Sequence, residues 1–333
     1  MTILAFDGIC LGDGPVTGVG RAFLTTLAAY AEQSEHECVL LLPERAYEPT
    51  IAGVRNVAAP HGTLRRQLLL PGMLQELGVA ILHSSVTAVP LGAPCPTIAT
   101  VHDIPWLHPE IGEVTSMRRR YATARSLRRA NRIIAPSTMT FDDTARLLGG
   151  LHPKLELVPH GIALGEAPTE AAIDARSGPF LALGDDRPRK NRKRLEQAHA
   201  LAKARCDDLP ALSFIGPPHR YVGEFEKRDL LAACRALVHV SRFEGFGLPV
   251  LEGLAHGAPV LASDLPPLRE IAQGHALLVA PDSTEAIAEG LVRIHTDDAL
   301  RRASALAGYR RAAELQPEHA AAHWRRIHAE LLA

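Results

Sequence analysis

The hydrophobic positions along the chain fall into two series of short apolar runs, separated by segments with helical or loop character. The first series comprises residues 2–6, 38–42, 79–82, 97–101 and 132–135. The second comprises residues 179–183, 211–215, 236–240, 259–262 and 276–279. Buried strands that alternate with helices favour a parallel sheet covered on both faces. The pattern therefore predicts an α/β protein with two doubly wound, Rossmann-like domains in tandem.

The stretch between the two series, residues 163–178, is polar and contains proline and glycine, without an apolar period of its own. It predicts a linker between an N-terminal domain, residues 1–162, and a C-terminal domain, residues 179–317. A terminal helix over about residues 318–333 contains Trp324 and is predicted to pack back on the first domain. Doubly wound domains bind ligands at the carboxyl ends of their strands, so the two domains are expected to face each other across a ligand-binding cleft.

The chain has 333 residues, of which 47% are apolar and 22% charged, the balance of a soluble globular protein. The net charge of −1 excludes a global attraction to nucleic acid, so any anion site must be local. No apolar run approaches the ~20 residues that span a bilayer, and the first residues lack a signal peptide's basic flank, which predicts a cytoplasmic protein. The five cysteines form no C-x-x-C pair, which argues against a zinc knuckle.

The most informative motif is SRFEGFGLPVLEGLAHG, residues 241–257. It predicts a loop, a helix begun at Pro249, and a stop at Gly257. The loop glycines let backbone N–H groups approach a ligand at the positive end of this helix. Glu244 in the loop and Glu252, expected in the first helical turn, face the same side. Taken singly, each glutamate is as readily a solvated carboxylate or a complement to the helix dipole.

A basic turn precedes another predicted helix. It contains six cations, namely Arg187, Arg189, Lys190, Arg192, Lys193 and Arg194. Cations at the start of a helix oppose its dipole, and a bound diphosphate would resolve that conflict. The alternative is a solvated basic turn, which is the favoured interpretation for Arg192, Lys193 and Arg194 but not for Lys190.

Weaker signals lie elsewhere in the chain. Gly18 and Gly20 form only a G-x-G, so they are poor support for NAD binding. His102 follows an apolar strand, which places it at a carboxyl end, although a lone histidine is usually structural. His319 and His323 have metal-ligand spacing, but without a third ligand a surface or packing role is favoured.

The two glutamates, separated by seven residues around Gly-Phe-Gly-Leu-Pro, closely resemble the signature of the large retaining glycosyltransferase family four, whose members have the GT-B fold. Nearly the whole chain is similar to this family. The matching segments are TGVGR at residues 17–21, TVHD at 100–103, PHGI at 159–162, the turn from Gly184 to Asn191, and GAPVLAS at 257–263. The resemblance implies sugar transfer from a nucleotide-diphosphate donor with retention of the anomeric configuration.

The resemblance also implies roles for individual residues. The expected catalytic residues are Lys190, Glu244 and His102. The expected donor-binding residues are Gly18, Gly20, Arg187, Arg189, Phe246, Gly247, Leu248 and Glu252. Lys190 acts on the diphosphate, Glu252 on the ribose hydroxyls, and Glu244 on the sugar. Many family members have arginine directly after the glycine where this chain has Asp185, so the second phosphate cation is Arg187, Arg189 or absent.

The donor is expected to be a GDP- or UDP-sugar and the acceptor a glycan, a lipid-linked sugar or a small molecule. No Asp-x-Asp motif occurs in the sequence, so the reaction is expected to be metal-independent, without a cofactor. Two rival functions stay open: a nucleotide-sugar epimerase or phosphorylase on the same fold, and a non-catalytic degenerate subunit. A second basic helix is equally consistent with a solvated face or with peripheral contact to the inner face of the plasma membrane. Its arginines are Arg118, Arg119, Arg120, Arg125, Arg128, Arg129 and Arg132.

Overall fold

The computed structural model describes residues 2–12, 16–43, 48–150, 153–217 and 220–333. The chain divides into two compact units. Unit 1 comprises Met1–Gly161 with Pro317–Ala333, and unit 2 comprises Ile162–Gln316. The segment 163–178, interpreted from the sequence as a linker, lies within unit 2 and contains a short helix.

Unit 1 is built on a seven-stranded parallel sheet. Its strands are β1 (Ile3–Asp7), β2 (Glu37–Pro43), β3 (Val54–Ala59), β4 (Val79–Ser84), β5 (Thr97–Thr100), β6 (Arg132–Ala135) and β7 (Leu155–Leu157). The order across the sheet is β3-β2-β1-β4-β5-β6-β7. The first helices of the unit are α1 (Gly18–Ala31), α2 (Thr63–Glu76), α3 (Met117–Arg129) and α4 (Thr138–Leu148).

Unit 2 is built on a five-stranded parallel sheet with the order β12-β11-β10-β8-β9. Its strands are β8 (Phe180–Leu183), β9 (Leu212–Ile215), β10 (Ala236–His239), β11 (Val260–Ser263) and β12 (Leu277–Val279). Its helices are α5 (Glu170–Asp174), α6 (Arg192–Lys203), α7 (Glu224–Ala233), α8 (Leu248–Ala255), α9 (Pro266–Ala272), α10 (Thr284–Thr296) and α11 (Asp298–Ala313). Apolar clusters cover both faces of this sheet, as parallel sheets require.

All ten apolar runs identified in the sequence are strands, so the predicted fold of two parallel α/β sheets is confirmed. Strands β3 and β7 were not predicted. Both lie at the edges of the sheet in unit 1, where one side of the strand meets solvent and the sequence is less apolar. Helix α1 is capped by Thr17, whose hydroxyl accepts a hydrogen bond from the Gly20 N–H at 3.3 Å.

A last helix, α12 (Pro317–Leu332), packs against α1 in unit 1. Trp324 is buried in the core of the unit, with ring centroids 6.0 Å from Phe6, 5.8 Å from Phe23 and 4.3 Å from His83. His328 lies one turn further on, where its Nδ1 is 2.8 Å from the Tyr30 hydroxyl. No helix among the described residues is long and apolar enough to cross a membrane.

Candidate active site

The loop between β10 and α8 is shaped by a glycine in a left-handed conformation. Gly247 has φ 110° and caps α8, and a Cβ atom there would lie 2.3 Å from the Leu268 side chain. Only glycine fits this position without displacing its neighbours. Leu248 then begins the helix, and Phe246 is buried beneath the loop. The first-turn N–H groups of α8 therefore follow directly on the glutamate-containing loop.

Three charged or polar side chains meet in this loop. The Glu244 Oε1 atom accepts a hydrogen bond from the Lys190 Nζ at 2.7 Å and another from the His239 Nε2 at 2.7 Å. Glu244 is 7% exposed and His239 is 4% exposed. Burial alone would raise the pKa of Glu244, but the charges and hydrogen bonds of Lys190 and His239 hold that pKa well below its usual value. The site thus contains an ionised, buried carboxylate paired with an ammonium.

Lys190 reaches Glu244 because the preceding turn is fixed to the loop. The turn Pro188–Lys190 is a short 3₁₀ helix, and Asn191 follows it in the left-handed conformation with φ 60°. The Asn191 side-chain amide donates to the Val240 carbonyl at 2.9 Å and to the Pro281 carbonyl at 2.7 Å. A side chain without donors could not make these two bonds, so Asn191 ties the basic turn to the end of β10.

The other cations of the basic turn have separate partners. Arg187 forms a salt bridge with Asp185 at 2.7 Å, and despite the burial that would raise it, the pKa of Asp185 is held below its usual value by this guanidinium. Arg189 is buried, with its guanidinium carbon 5.8 Å from the centroid of the Phe243 ring. Arg192 pairs with Asp186 at 3.1 Å and stacks on Phe214. Asp185, where many family members have arginine, therefore balances the charge of Arg187.

A pocket lies at the carboxyl ends of β8 and β10 and encloses about 390 Å³ of space that is open to solvent. Gly184, Asp185, Lys190 and His239 are among its lining residues. Lys193 is exposed, and Arg194 pairs with Asp282 at 3.2 Å on the outside of the turn. Of the six cations, Lys190 and Arg192 line this pocket. Carboxyl ends of parallel strands are the usual ligand sites of such sheets.

Glu252 lies in a different position from the one expected. Because α8 begins at Leu248, Glu252 is its fifth residue and lies in the second turn of the helix. The sequence had predicted it in the first turn. The side chain is buried and accepts a hydrogen bond at 2.9 Å from the Nζ of Lys227 on α7. A buried ion pair, rather than an interaction with the helix dipole, therefore accounts for the environment of Glu252 in the structure.

His102 in unit 1 uses both ring nitrogens within the protein. Its Nε2 is 2.7 Å from the Ser85 carbonyl oxygen, so this nitrogen donates, and its Nδ1 is 3.3 Å from the Nε2 of His160. Burial lowers the pKa of His102 and lowers that of His160 to about 3, so both rings are neutral at neutral pH.

The two glycines predicted to bind the donor lie at the start of α1. Gly18 is the first residue of α1, and a side chain at Gly20 would crowd Val16.

Among the described residues, one group of three side chains has metal-ligand chemistry at short range: Cys206, Asp208 and His295, with ligand atoms within 4.8 Å of one another. Arg235 donates from Nε to the His295 Nδ1 at 3.2 Å. The proton of the neutral ring therefore lies on Nε2, which faces Asp208 at 3.4 Å. A metal would need the lone pair on that nitrogen, so a hydrogen-bonded cluster fits these residues better.

Two residues of the site carried little or no signal in the sequence. His239 stands inside an apolar run and was interpreted as part of a buried strand, although a polar residue at the carboxyl end of a strand is a recognisable signal. Lys227 stands in a polar segment with no motif around it. Only the folded arrangement of the chain brings its ammonium, on α7, to Glu252 on α8.

The comparisons with known proteins agree with this geometry. The sequence matches the family described as glycosyl transferases group 1 over residues 175–297 and glycosyltransferase family 4 over residues 16–166. The chain belongs to glycosyltransferase family four. This glycosyltransferase is 27% identical over 363 residues to the O-antigen chain mannosyltransferase B of Escherichia coli, a match that covers 92% of the chain and 94% of the relative.

Two solved structures have the same fold as this glycosyltransferase. Sucrose-phosphate synthase from Thermosynechococcus elongatus superposes with a TM-score of 0.80 at 17% identity, over 100% of this chain and 99% of that one. Anabaena HepE in complex with UDP and glucose superposes with a TM-score of 0.74 at 16% identity, over 99% and 100% of the two chains. The predicted family, enzyme class and GT-B fold are thereby confirmed.

Proposed function

We propose that this glycosyltransferase is a retaining mannosyltransferase that uses GDP-mannose and extends a glycan of the O-antigen kind. The observation that carries the proposal is the buried Lys190–Glu244 ion pair, 2.7 Å long, directly before the glycine-capped start of α8. The choice of mannose is supported by the relative in Escherichia coli, which is named an O-antigen chain mannosyltransferase. UDP-glucose, which is bound in a structure of Anabaena HepE, is the alternative donor.

In the proposed reaction, Lys190 leaves Glu244 and binds the donor diphosphate together with N–H groups at the start of α8. Negative charge on the diphosphate grows as the glycosidic bond breaks, so a fixed ammonium stabilises the transition state more than the bound donor. Arg187 is the proposed second cation, because its guanidinium is half-exposed and pairs with Asp185, which lines the pocket, whereas Arg189 is buried. The backbone N–H groups of Phe246, Gly247 and Leu248 lie at the same end of α8 and are proposed to bind the donor there.

The proposed role of Glu244 is to accept hydrogen bonds from the hydroxyls of the donor sugar. When Lys190 moves to the diphosphate, His239 still donates to the Glu244 Oε1 atom, so the carboxylate keeps one partner and its orientation. Such a carboxylate, held from behind by a fixed donor, is preorganised for the sugar. Glu252 is the proposed acceptor of hydrogen bonds from the ribose hydroxyls.

In unit 1, we propose that Gly18 and Gly20 at the start of α1 contact the donor phosphates through their backbone. His102 is the proposed contact to the donor sugar. Because its Nε2 donates to the Ser85 carbonyl oxygen, Nδ1 is the nitrogen that can accept a hydrogen bond from a sugar hydroxyl. The His160 ring, 3.3 Å from Nδ1, must move away first. These three assignments rest on the family resemblance and on the neutral state of the His102 ring.

Retention is proposed to proceed by substitution on the same face of the sugar, with a donor phosphate oxygen taking the proton of the acceptor hydroxyl. The sequence offers no clear covalent nucleophile. The cationic turn supplies the charge that a divalent ion supplies in other glycosyltransferases, so the proposed reaction needs no metal.

The acceptor side is proposed to include a membrane contact of unit 1. Helix α2 exposes Leu64 and Leu68, and α3 exposes Met117 and Tyr121 beside its basic face. Both helices are hydrogen-bonded to Leu91. The Gln67 side chain on α2 accepts a hydrogen bond from the Leu91 N–H at 2.9 Å, and Arg129 on α3 donates one to the Leu91 carbonyl at 3.2 Å. Exposed apolar side chains next to arginines suit an anionic lipid surface, where a lipid-linked acceptor would lie. The exposed arginines of α3 are Arg118, Arg119, Arg125, Arg128 and Arg129. Arg132, expected on the same helix, lies instead in β6, because α3 ends at Arg129.

The test of the proposal is calorimetric binding of GDP, UDP, GDP-mannose and UDP-glucose, followed by product analysis with and without a membrane fraction. Tighter binding of GDP than UDP, and mannose transfer only when acceptor is present, are expected. Turnover of the donor to a new nucleotide sugar without acceptor would indicate an epimerase. Failure to bind any nucleoside diphosphate would indicate a non-catalytic subunit.

A further inference from the structure

One lysine is buried among the described residues: Lys227 on α7, which is 6% exposed. Its position is unfavourable for a cation in two ways. Burial removes the hydration of the ammonium, and Lys227 is the fourth residue of α7, where the positive end of the helix dipole repels it. A lysine at such a position needs partners that compensate both effects.

Two carboxylates supply that compensation. The Lys227 Nζ lies 2.9 Å from the Glu252 Oε1 and 3.0 Å from the Glu224 Oε2. The two partners differ in environment, because the Glu252 side chain is 7% exposed whereas that of Glu224 is 46% exposed. Lys227 therefore links a partly solvated carboxylate at the start of α7 to a buried one on α8.

Stability alone does not account for this arrangement. A buried ion pair adds little to the free energy of unfolding compared with apolar side chains of similar size, because both charges lose their hydration. Breaking such a pair, in contrast, leaves an uncompensated charge. The arrangement is thus explained better by a need for Glu252 at this place, ionised and in one orientation, than by the stability of unit 2.

We infer that Lys227 is a positioning residue for ribose recognition, which holds the Glu252 carboxylate in the orientation that accepts the nucleotide's ribose hydroxyls. This inference rests on the proposed ribose contact of Glu252. The ammonium fixes Oε1 from the side of α7, so fewer side-chain conformations of Glu252 need to be ordered when the nucleotide binds. Lys227 itself does not touch the nucleotide in this role.

The experiment measures the ratio of the dissociation constants of 2′,3′-dideoxy-GDP and GDP by calorimetry. For the wild type we expect GDP to bind at least about tenfold more tightly, since charge-assisted hydrogen bonds to the ribose are lost in the dideoxy compound. For Lys227→Met the ratio should fall below about 3, because a misdirected Glu252 no longer distinguishes the two ligands. Lys227→Arg should keep most of the ratio, and Lys193→Met, on the exposed face of α6, should not change it.

A purely structural role would lower the melting temperature or weaken both ligands equally, without moving the ratio. Should Lys227→Met fail to fold, Lys227→Gln replaces it, because its amide N–H can reach a carboxylate without the charge, and an intermediate ratio is then expected. An unchanged ratio in folded Lys227→Met, or in Lys227→Gln where that variant replaces it, overturns the inference. If Glu252→Ala abolishes the ratio in that case, the ribose contact stands and only the role of Lys227 fails; if the wild type itself shows no preference, the ribose contact fails first.

Discussion

Replacement of Lys190 by methionine removes one of the two donors to Glu244 and keeps most of the apolar stem of the side chain. In the variant, Glu244 retains the 2.7 Å hydrogen bond from His239 but loses the ammonium that balances its charge. The carboxylate is 7% exposed, so water cannot fully replace the lost partner. The substitution should therefore affect both the stability of unit 2 and the chemical step, and the two effects can be measured separately.

The stability effect follows from the burial of the pair. Removal of one partner of a buried ion pair costs about 3–5 kcal/mol, and the remaining bond from His239 reduces this to about 2–3 kcal/mol. For a domain the size of unit 2 each kcal/mol lowers the Tm by roughly 2–4 °C, so a decrease of about 4–12 °C is expected. Lys190→Met combined with Glu244→Gln should recover part of this loss, because the double variant has no uncompensated charge.

The catalytic effect is expected to be larger on kcat than on donor binding. The ammonium stabilises charge that develops only as the diphosphate departs, so kcat should fall about 10²-fold, equivalent to about 2.7 kcal/mol, with a smaller change in donor affinity. The assay is release of GDP from GDP-mannose at saturating donor, at a temperature at which the variant is folded. Lys193→Met is the matched control, since Lys193 lies three residues further on and is exposed.

Two results would refute this reasoning. A Tm within about 1 °C of the wild type would mean that the ion pair is not formed in solution. A kcat within threefold of the wild type, with a lowered Tm, would mean that Lys190 is a structural residue and that the diphosphate is bound elsewhere. If Lys193→Met lost kcat while Lys190→Met kept normal turnover, the cation that acts on the diphosphate would be Lys193, three residues further along the chain, and not Lys190.

Three further outcomes are expected. Glu252→Ala should weaken GDP and GDP-mannose binding alike, by about 10- to 100-fold in calorimetry, and equal affinity in a folded variant would exclude the ribose contact. Turnover should persist after exhaustive chelation, and its loss with recovery on addition of Mg²⁺ or Mn²⁺ would contradict a metal-independent reaction. Burial lowers the pKa of His328 to about 3, so its neutral form stabilises the fold fully above about pH 6.5 and progressively less as the pH falls toward 3. The Tm of the wild type should therefore fall between pH 7 and 5, and less steeply in His328→Phe; equal slopes would contradict a buried neutral His328.

The regular parts of the fold were predictable because burial leaves a clear sequence pattern. Strand β6 was predicted at residues 132–135, the bounds that it has in the structure, since a strand in the interior of a sheet is apolar on both faces. Strand β3 escaped prediction because Arg55 and Asn56 are exposed at the sheet edge, which leaves a mixed pattern. Pro249 marked the start of α8 to within one residue because proline suits the first turn of a helix, and Gly257 marked its end because left-handed backbone there favours glycine.

The side chains of the site were predictable only where a motif names them. Lys190 and Glu244 were both singled out from the sequence, but their direct contact was not, since 54 positions separate them in the chain. The pairing of Arg187 with Asp185 was also unforeseen, although the two are adjacent on one turn. Contacts such as Lys227 with Glu252 depend on how helices pack, and a local pattern of residue types does not encode that packing.

The position of α12 has a consequence for how the protein is made. Helix α12 completes the core of unit 1, yet it follows the whole of unit 2 in the chain. During synthesis, the apolar surface of Phe6 and Phe23 stays uncovered until unit 2 and then Trp324 have left the ribosome. Unit 2 is contiguous in the chain, so all of it is translated before α12, and the core of unit 1, although mostly translated earlier, is the last to be completed.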